Sequence, residues 1–155
     1  MSRAVTTSLA FALAVATIGG SAGAQSGAET DYSGVVNASA GFVRNNVGTS
    51  PQTQSELIMC AAYWRKWSEM VTIYYSESQI AQLPAEMKPE ASKRIHDAIF
   101  AAALATIDKT DRAALERADA DFEEQYENAN ASLVANGMDR NNVQFFATLG
   151  SCGVP

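Results

Sequence analysis

From Leu57 to Tyr75 the chain reads LIMCAAYWRKWSEMVTIYY, and its apolar positions recur at alternating steps of three and four. Leu57, Cys60, Trp64, Trp67, Val71 and Tyr74 therefore share one face of an α-helix. The stretch holds both tryptophans and one of the two cysteines, so it is expected to form the central post of a helical bundle. Ser50-Pro51 is a suitable start for this helix, and the Thr53–Glu56 capping box offers a second start three residues later. Ser76-Glu77-Ser78 either breaks it or merely punctuates it, because Ile80 and Leu83 continue the apolar pattern.

Similar periodicity elsewhere predicts the remaining elements. Tyr32, Val35, Val36, Ser39, Phe42, Val43 and Val47 predict a first helix over 31–47, closed by Asn45-Asn46-Val47-Gly48. Pro84 to Pro89 reads as a loop, and Pro89-Glu90 opens the next helix. Ala98 to Ile107, AIFAAALATI, is apolar nearly all round, which predicts a buried segment and a second candidate for the bundle centre. Asp108 to Asp111 is a polar break with capping residues. Leu115, Ala118, Phe122, Tyr126, Ala129 and Leu133 then form the inner stripe of a long acidic helix over 111–135, stopped by Asn136-Gly137. A short last helix over 140–149, capped by Asp139, carries Val143, Phe146 and Leu149 inward and ends at Gly150. No repeat and no alternating strand pattern interrupts these helices. The predicted fold is all-α, a single-domain bundle of four to five helices.

The amino terminus changes the picture of where such a bundle works. Arg3, the apolar run Leu9–Ile18 and Ala22-Gly23-Ala24 have the order of a secretory signal, so residues 1–24 are expected to be removed. The run is too short to span a bilayer, so no stable membrane insertion is expected after cleavage. Residues 25–30, QSGAET, are a small polar lead-in expected to be disordered, and 31–155 is the bundle domain. The expected location is periplasmic or secreted. An exported chain with two cysteines implies one disulfide, Cys60–Cys152, which would tie the tail to the central helix.

Charge narrows the partners. The chain carries 11 Lys and Arg against 17 Asp and Glu, a formal net charge of −6, and loss of Arg3 makes it one unit more negative. Binding to nucleic acid or to an anionic membrane surface by electrostatics is not expected of such a chain.

Candidate chemistry is thin. His96 is the one histidine, and no G-x-S-x-G accompanies it, so a hydrolase triad is not expected. A single histidine also excludes H-E-x-x-H and the paired E-x-x-H of di-iron bundles. Asp119 to Glu123 has a D-x-D-x-E rhythm but lacks the glycine and terminal glutamate of a calcium loop. Haem would need His96 with Met59, Met70, Met87 or Met138, and no C-x-x-C-H is present. No metal and no cofactor is therefore expected. Asn37-Ala38-Ser39 and Asn130-Ala131-Ser132 are sequons inside helical patterns. Glu56, Glu69, Glu77 and Glu90 could serve general acid–base work but show no pairing pattern.

The expectation is a non-enzymatic exported protein that binds another protein, as in envelope stress protection or inhibition of, or immunity towards, an envelope-active enzyme. The alternative is a small-ligand or cofactor carrier, with Tyr63, Trp64, Trp67 and Tyr74 lining its pocket.

Overall fold

Thr53 decides where the central helix begins. Its Oγ1 accepts the backbone N–H of Glu56 at 3.2 Å, and the Glu56 carboxylate accepts the N–H groups of Thr53 at 2.9 Å and Gln52 at 2.8 Å. Orphan donors at the helix start are thus satisfied reciprocally, and α1 runs Gln54–Tyr74 in this computed structural model. Ser50-Pro51 does not supply the cap. The structure describes residues 39–40, 42, 51–135 and 143–153, all within the unit Asp31–Pro155. The expected signal, lead-in, Asn136-Gly137 stop and Asp139 cap lie outside the described residues. Of the expected first helix, Ser39, Ala40 and Phe42 are helical and Phe42 is buried.

Beyond α1 come α2 (Glu77–Gln82), a 3-10 turn (Ala85–Met87), α3 (Pro89–Ala105), α4 (Arg112–Ala135) and α5 (Val143–Ser151). The described residues are all-helical, with no strand. α1 packs chiefly against α3 and α4 and also touches α5, as expected of a central post. Ten of its side chains are buried, including Trp64, Trp67, Met70 and Val71. Alanines at Ala61 and Ala62, with no exposed surface, let neighbouring helices approach this post closely.

Ser76 breaks the helix rather than punctuating it. The backbone turns extended at Tyr75, and Ser76 and Gln79 form a second capping box that starts α2 afresh. The Pro84–Pro89 stretch is more than a loop, because its 3-10 turn drives Met87 fully into the core. α3 begins with Pro89, which has no N–H to leave unsatisfied. The buried Ser92 hydroxyl donates to the Lys88 and Pro89 carbonyls, at 3.0 and 2.9 Å, so its burial leaves no unmet polar group.

The expectation of a wholly buried Ala98–Ile107 is corrected. Ile99 and Ala103 are fully buried, but Ala98, Ala101 and Ala105 face solvent. Alanine is favoured in helices for its propensity as much as for its apolarity, and a methyl group loses little by exposure. α3 is therefore an outer layer with a narrow inner stripe.

α4 starts where Asp111 caps it by accepting the Ala114 N–H at 2.9 Å. Ala118, Phe122, Ala129 and Leu133 are buried, with Leu115 and Tyr126 half-buried beside them. α5 places Phe146 and Leu149 inward as expected, and also Phe145. Gly150 does not end it. The glycine is buried inside the last turn, which the Cys152 N–H closes on the Leu149 carbonyl at 3.2 Å. Cys152 is bonded to Cys60, with the Cα atoms 5.3 Å apart at a sequence separation of 92. Among the described residues no helix is long and apolar enough to cross a membrane.

Candidate functional site

The aromatic side chains of α1 were the first candidates, and their placement is that of a core. Trp64 is 2% exposed and Trp67 0%. The Trp64 indole N–H donates to the Cys152 carbonyl at 3.0 Å, and that of Trp67 to the Met87 carbonyl at 2.7 Å. Tyr63 is buried and stacks on Phe145 at 5.1 Å, while Phe42 and Phe146 meet Trp64 and Trp67 edge-on. These rings pack on one another, and the two indole N–H groups are satisfied by backbone carbonyls. Tyr74 leaves the group and is 62% exposed. The reason is local. Its helix ends there, and Tyr75 at the cap turns back to meet Trp67 at 5.7 Å.

A second cluster was not legible as a cluster. Arg65, Ser68 and Glu69 on α1 and Lys93, His96 and Asp97 on α3 line a niche of about 230 Å³. Its back wall is His96. The imidazole stacks on Phe100 at 5.9 Å between ring centroids and meets Phe122 tilted at 5.7 Å, and the two phenyl rings are 4.8 Å from each other on the same side of it. His96 Nδ1 is 2.9 Å from the Ala61 carbonyl, which can only accept, so Nδ1 carries the proton. Nε2 is then a lone-pair acceptor. Burial pushes the imidazole below its ordinary 6.5, with Arg65 and Lys93 adding to this against the opposing Ala61 bond and Asp97. The ring is neutral at pH 7.

Around His96 the charges are arranged in pairs. Arg65 Nε donates to Glu69 at 3.0 Å, and Lys93 Nζ to Asp97 Oδ2 at 2.9 Å. The Tyr126 hydroxyl of α4 donates to the other Glu69 oxygen in a short hydrogen bond. Burial raises Glu69, but the Tyr126 hydroxyl and Arg65 outweigh it and hold the carboxyl below its usual value. Burial and the Glu69 carboxylate together push the Tyr126 phenol up to about 12. The Arg65 guanidinium lies over Phe122 and Tyr126, at 5.6 and 5.2 Å. Lys93 holds Asp97 below the ordinary carboxylate range.

The other sequence candidates are spent singly. Glu56 caps α1, while Glu77 and Glu90 stand in the first turns of α2 and α3. Met70 and Met87 are core side chains, and Met138 lies outside the described residues. The Asp119–Glu123 rhythm sits inside the continuous α4, and among the described residues no three His, Cys, Asp or Glu side chains gather for a metal ion. The Ser39 and Ser132 hydroxyls of the two sequons are buried, and Asn130 to Ser132 is helical. Asn130 therefore does not stand in an extended segment, and Asn37 lies outside the described residues.

The outer face of α4 is acidic. Asp119, Asp121, Glu123, Glu124 and Glu127 are all exposed, and none forms an ion pair with a described residue. Asp119, Glu123 and Glu127 follow at four-residue steps, so like charges stand one turn apart along a single row. Compared with protein-family models, curated proteins and solved structures, the chain matches none of them.

Proposed function

We propose that this protein is an exported, non-enzymatic helical module that binds a cationic surface of another protein through the outer face of α4. The observation that carries the reading is the row Asp119, Glu123 and Glu127, exposed and without cationic partners among the described residues. Like charges at four-residue steps cost an isolated helix about 0.2–0.5 kcal/mol per pair. A partner bringing Lys or Arg would remove that cost and gain from steering by the negative field. The bundle behind the row is rigid in the sense that matters, because Phe122, Ala129 and Leu133 anchor α4 in the core. Export is supported by the signal-like residues 1–24, and the Cys60–Cys152 bond fits an oxidising compartment. Envelope stress protection and inhibition of an envelope-active enzyme are the tasks such a module would serve.

The test is affinity capture from the extracytoplasmic fraction of the producing cell. One arm uses the wild-type chain and the other a variant with Asp119→Asn, Glu123→Gln and Glu127→Gln. A protein retained by the wild type, lost with the variant and released by salt is the expected outcome. Retention of the same proteins by both chains, or of none by either, refutes the reading.

A further inference from the structure

The niche between α1 and α3 contains an arrangement of acceptors that the fold itself does not resolve. His96 Nε2 is a lone pair, because Nδ1 holds the proton against the Ala61 carbonyl. Asp97 Oδ1, which is acceptor-only, stands 3.8 Å from it. Two acceptors at that separation repel one another and are bridged by a group that offers a proton to each. Protonating His96 would do the same, but its burial and the Arg65 and Lys93 charges oppose that.

The same niche also holds donors with capacity to spare. Arg65 uses Nε on Glu69, and its Nη donors make no hydrogen bond to a described residue. Lys93 Nζ uses one proton on Asp97 and has two more. Arg65 and Lys93 balance Glu69 and Asp97, so with a neutral His96 the lining carries no net charge. Each carboxylate of this neutral lining is paired with a cation on its own helix, so the His96 Nε2 and Asp97 Oδ1 acceptors and the spare Arg65 and Lys93 donors are left over together, which suits a ligand that carries both charges.

We propose that this niche is a binding site for a small zwitterion of the α-amino-acid class. The ligand's ammonium donates to His96 Nε2 and Asp97 Oδ1. Its carboxylate accepts from the Arg65 Nη groups and Lys93 Nζ, which are charge-assisted contacts of the stronger kind. A niche of about 230 Å³ has room for a molecule of that size. The Nδ1 bond to the Ala61 carbonyl and packing against the Phe100–Phe122 pair fix the acceptor in place before the ligand arrives, which limits the entropy cost of binding. The site is independent of the α4 outer face, so either can fail without the other.

Glycine is the probe, titrated into the oxidised protein above the ordinary imidazole range and followed by calorimetry and by the imidazole ¹⁵N signals of His96. Saturable binding with a shift at Nε2 is expected, and acetate and methylammonium should each bind at least about tenfold more weakly. Asp97→Asn is the main variant. Its amide can donate to Nε2 and so fills the acceptor gap internally, and its side chain is 55% exposed, which spares the fold. It should weaken glycine binding about tenfold or more. His96→Phe, checked by circular dichroism, should abolish the binding. Absence of saturation, equal binding of acetate or of methylammonium, or wild-type affinity in Asp97→Asn overturns the proposal.

Discussion

Opening the Cys60–Cys152 bond is the perturbation with the largest expected effect on this fold. The bond closes a loop over a sequence separation of 92. Closing a loop of that length removes unfolded-state entropy worth about 4–5 kcal/mol at room temperature. Domains of this kind have only about 5–15 kcal/mol in hand. The folded contacts of the tail do not depend on the bond alone. Phe145 stacks on Tyr63, Phe146 meets Trp67 edge-on, and the Cys152 carbonyl accepts the Trp64 indole N–H. Reduced protein should therefore remain folded in buffer, but with much less reserve. With a urea m-value of roughly 2 kcal/mol/M, the unfolding midpoint should fall by about 2 M. The assay is equilibrium urea unfolding, followed by tryptophan emission and far-ultraviolet circular dichroism. It compares oxidised protein, reduced protein and the double variant Cys60→Ala, Cys152→Ala. The unfolded oxidised chain stays more compact, so m should rise when the bond is absent. A midpoint shift below about 0.5 M, with m unchanged, would refute the loop-closure reasoning. Non-reducing mass spectrometry should show no free thiol in the oxidised sample.

Three further outcomes follow from single side chains. His96 is depressed in the folded state from 6.5, so the unfolded chain takes up a proton first as pH falls. Its contribution is complete above 6.5 and lost as pH falls through the folded value, and His96→Phe should flatten that part of a thermal stability profile. Tyr126 behaves oppositely: raised from 10.0 to about 12, it contributes below 10.0 and loses that contribution as pH rises towards 12. Tyr126→Phe should remove this alkaline slope, and tyrosinate absorbance should show one residue fewer titrating late. On α3, Ala103→Leu should cost about 1–3 kcal/mol in urea unfolding by overpacking a site with no exposed surface, whereas Ala101→Leu on the open face should stay within about 0.5 kcal/mol. Equal effects at the two alanines would contradict the layer assignment.

The parts of the fold that could be read from sequence are those where side-chain size and period agree. Trp64, Trp67 and Val71 are too large and apolar to be anywhere but inside, and the α4 stripe from Ala118 to Leu133 repeats cleanly. Periodicity misled where alanine carried it, because Ala98, Ala101 and Ala105 report helix propensity and not burial. It also failed at helix ends. Tyr74 continues the spacing of α1, but the Ser76–Gln79 box ends the helix and hands its place to Tyr75. Met87 looked like a loop residue because nothing local says that the Trp67 indole reaches the turn beside it. The niche was hidden for a similar reason. The Ala61 carbonyl that fixes His96 is a backbone atom 35 positions away, and backbone atoms leave no mark on a sequence pattern.

The two indoles are tethered to different parts of the chain, Trp64 to the carboxyl-terminal tail and Trp67 to the turn that precedes α3. Trp64 is thus a built-in optical sensor of the tail, and Trp67, which also meets Phe146 of α5, senses the turn and the tail together. A chain with Trp67→Phe would glow according to whether its tail is seated, and one with Trp64→Phe according to whether the turn and α5 are both in place. A Trp67 trace that moves before the Trp64 trace along an unfolding curve would mean that the turn lets go before the tail.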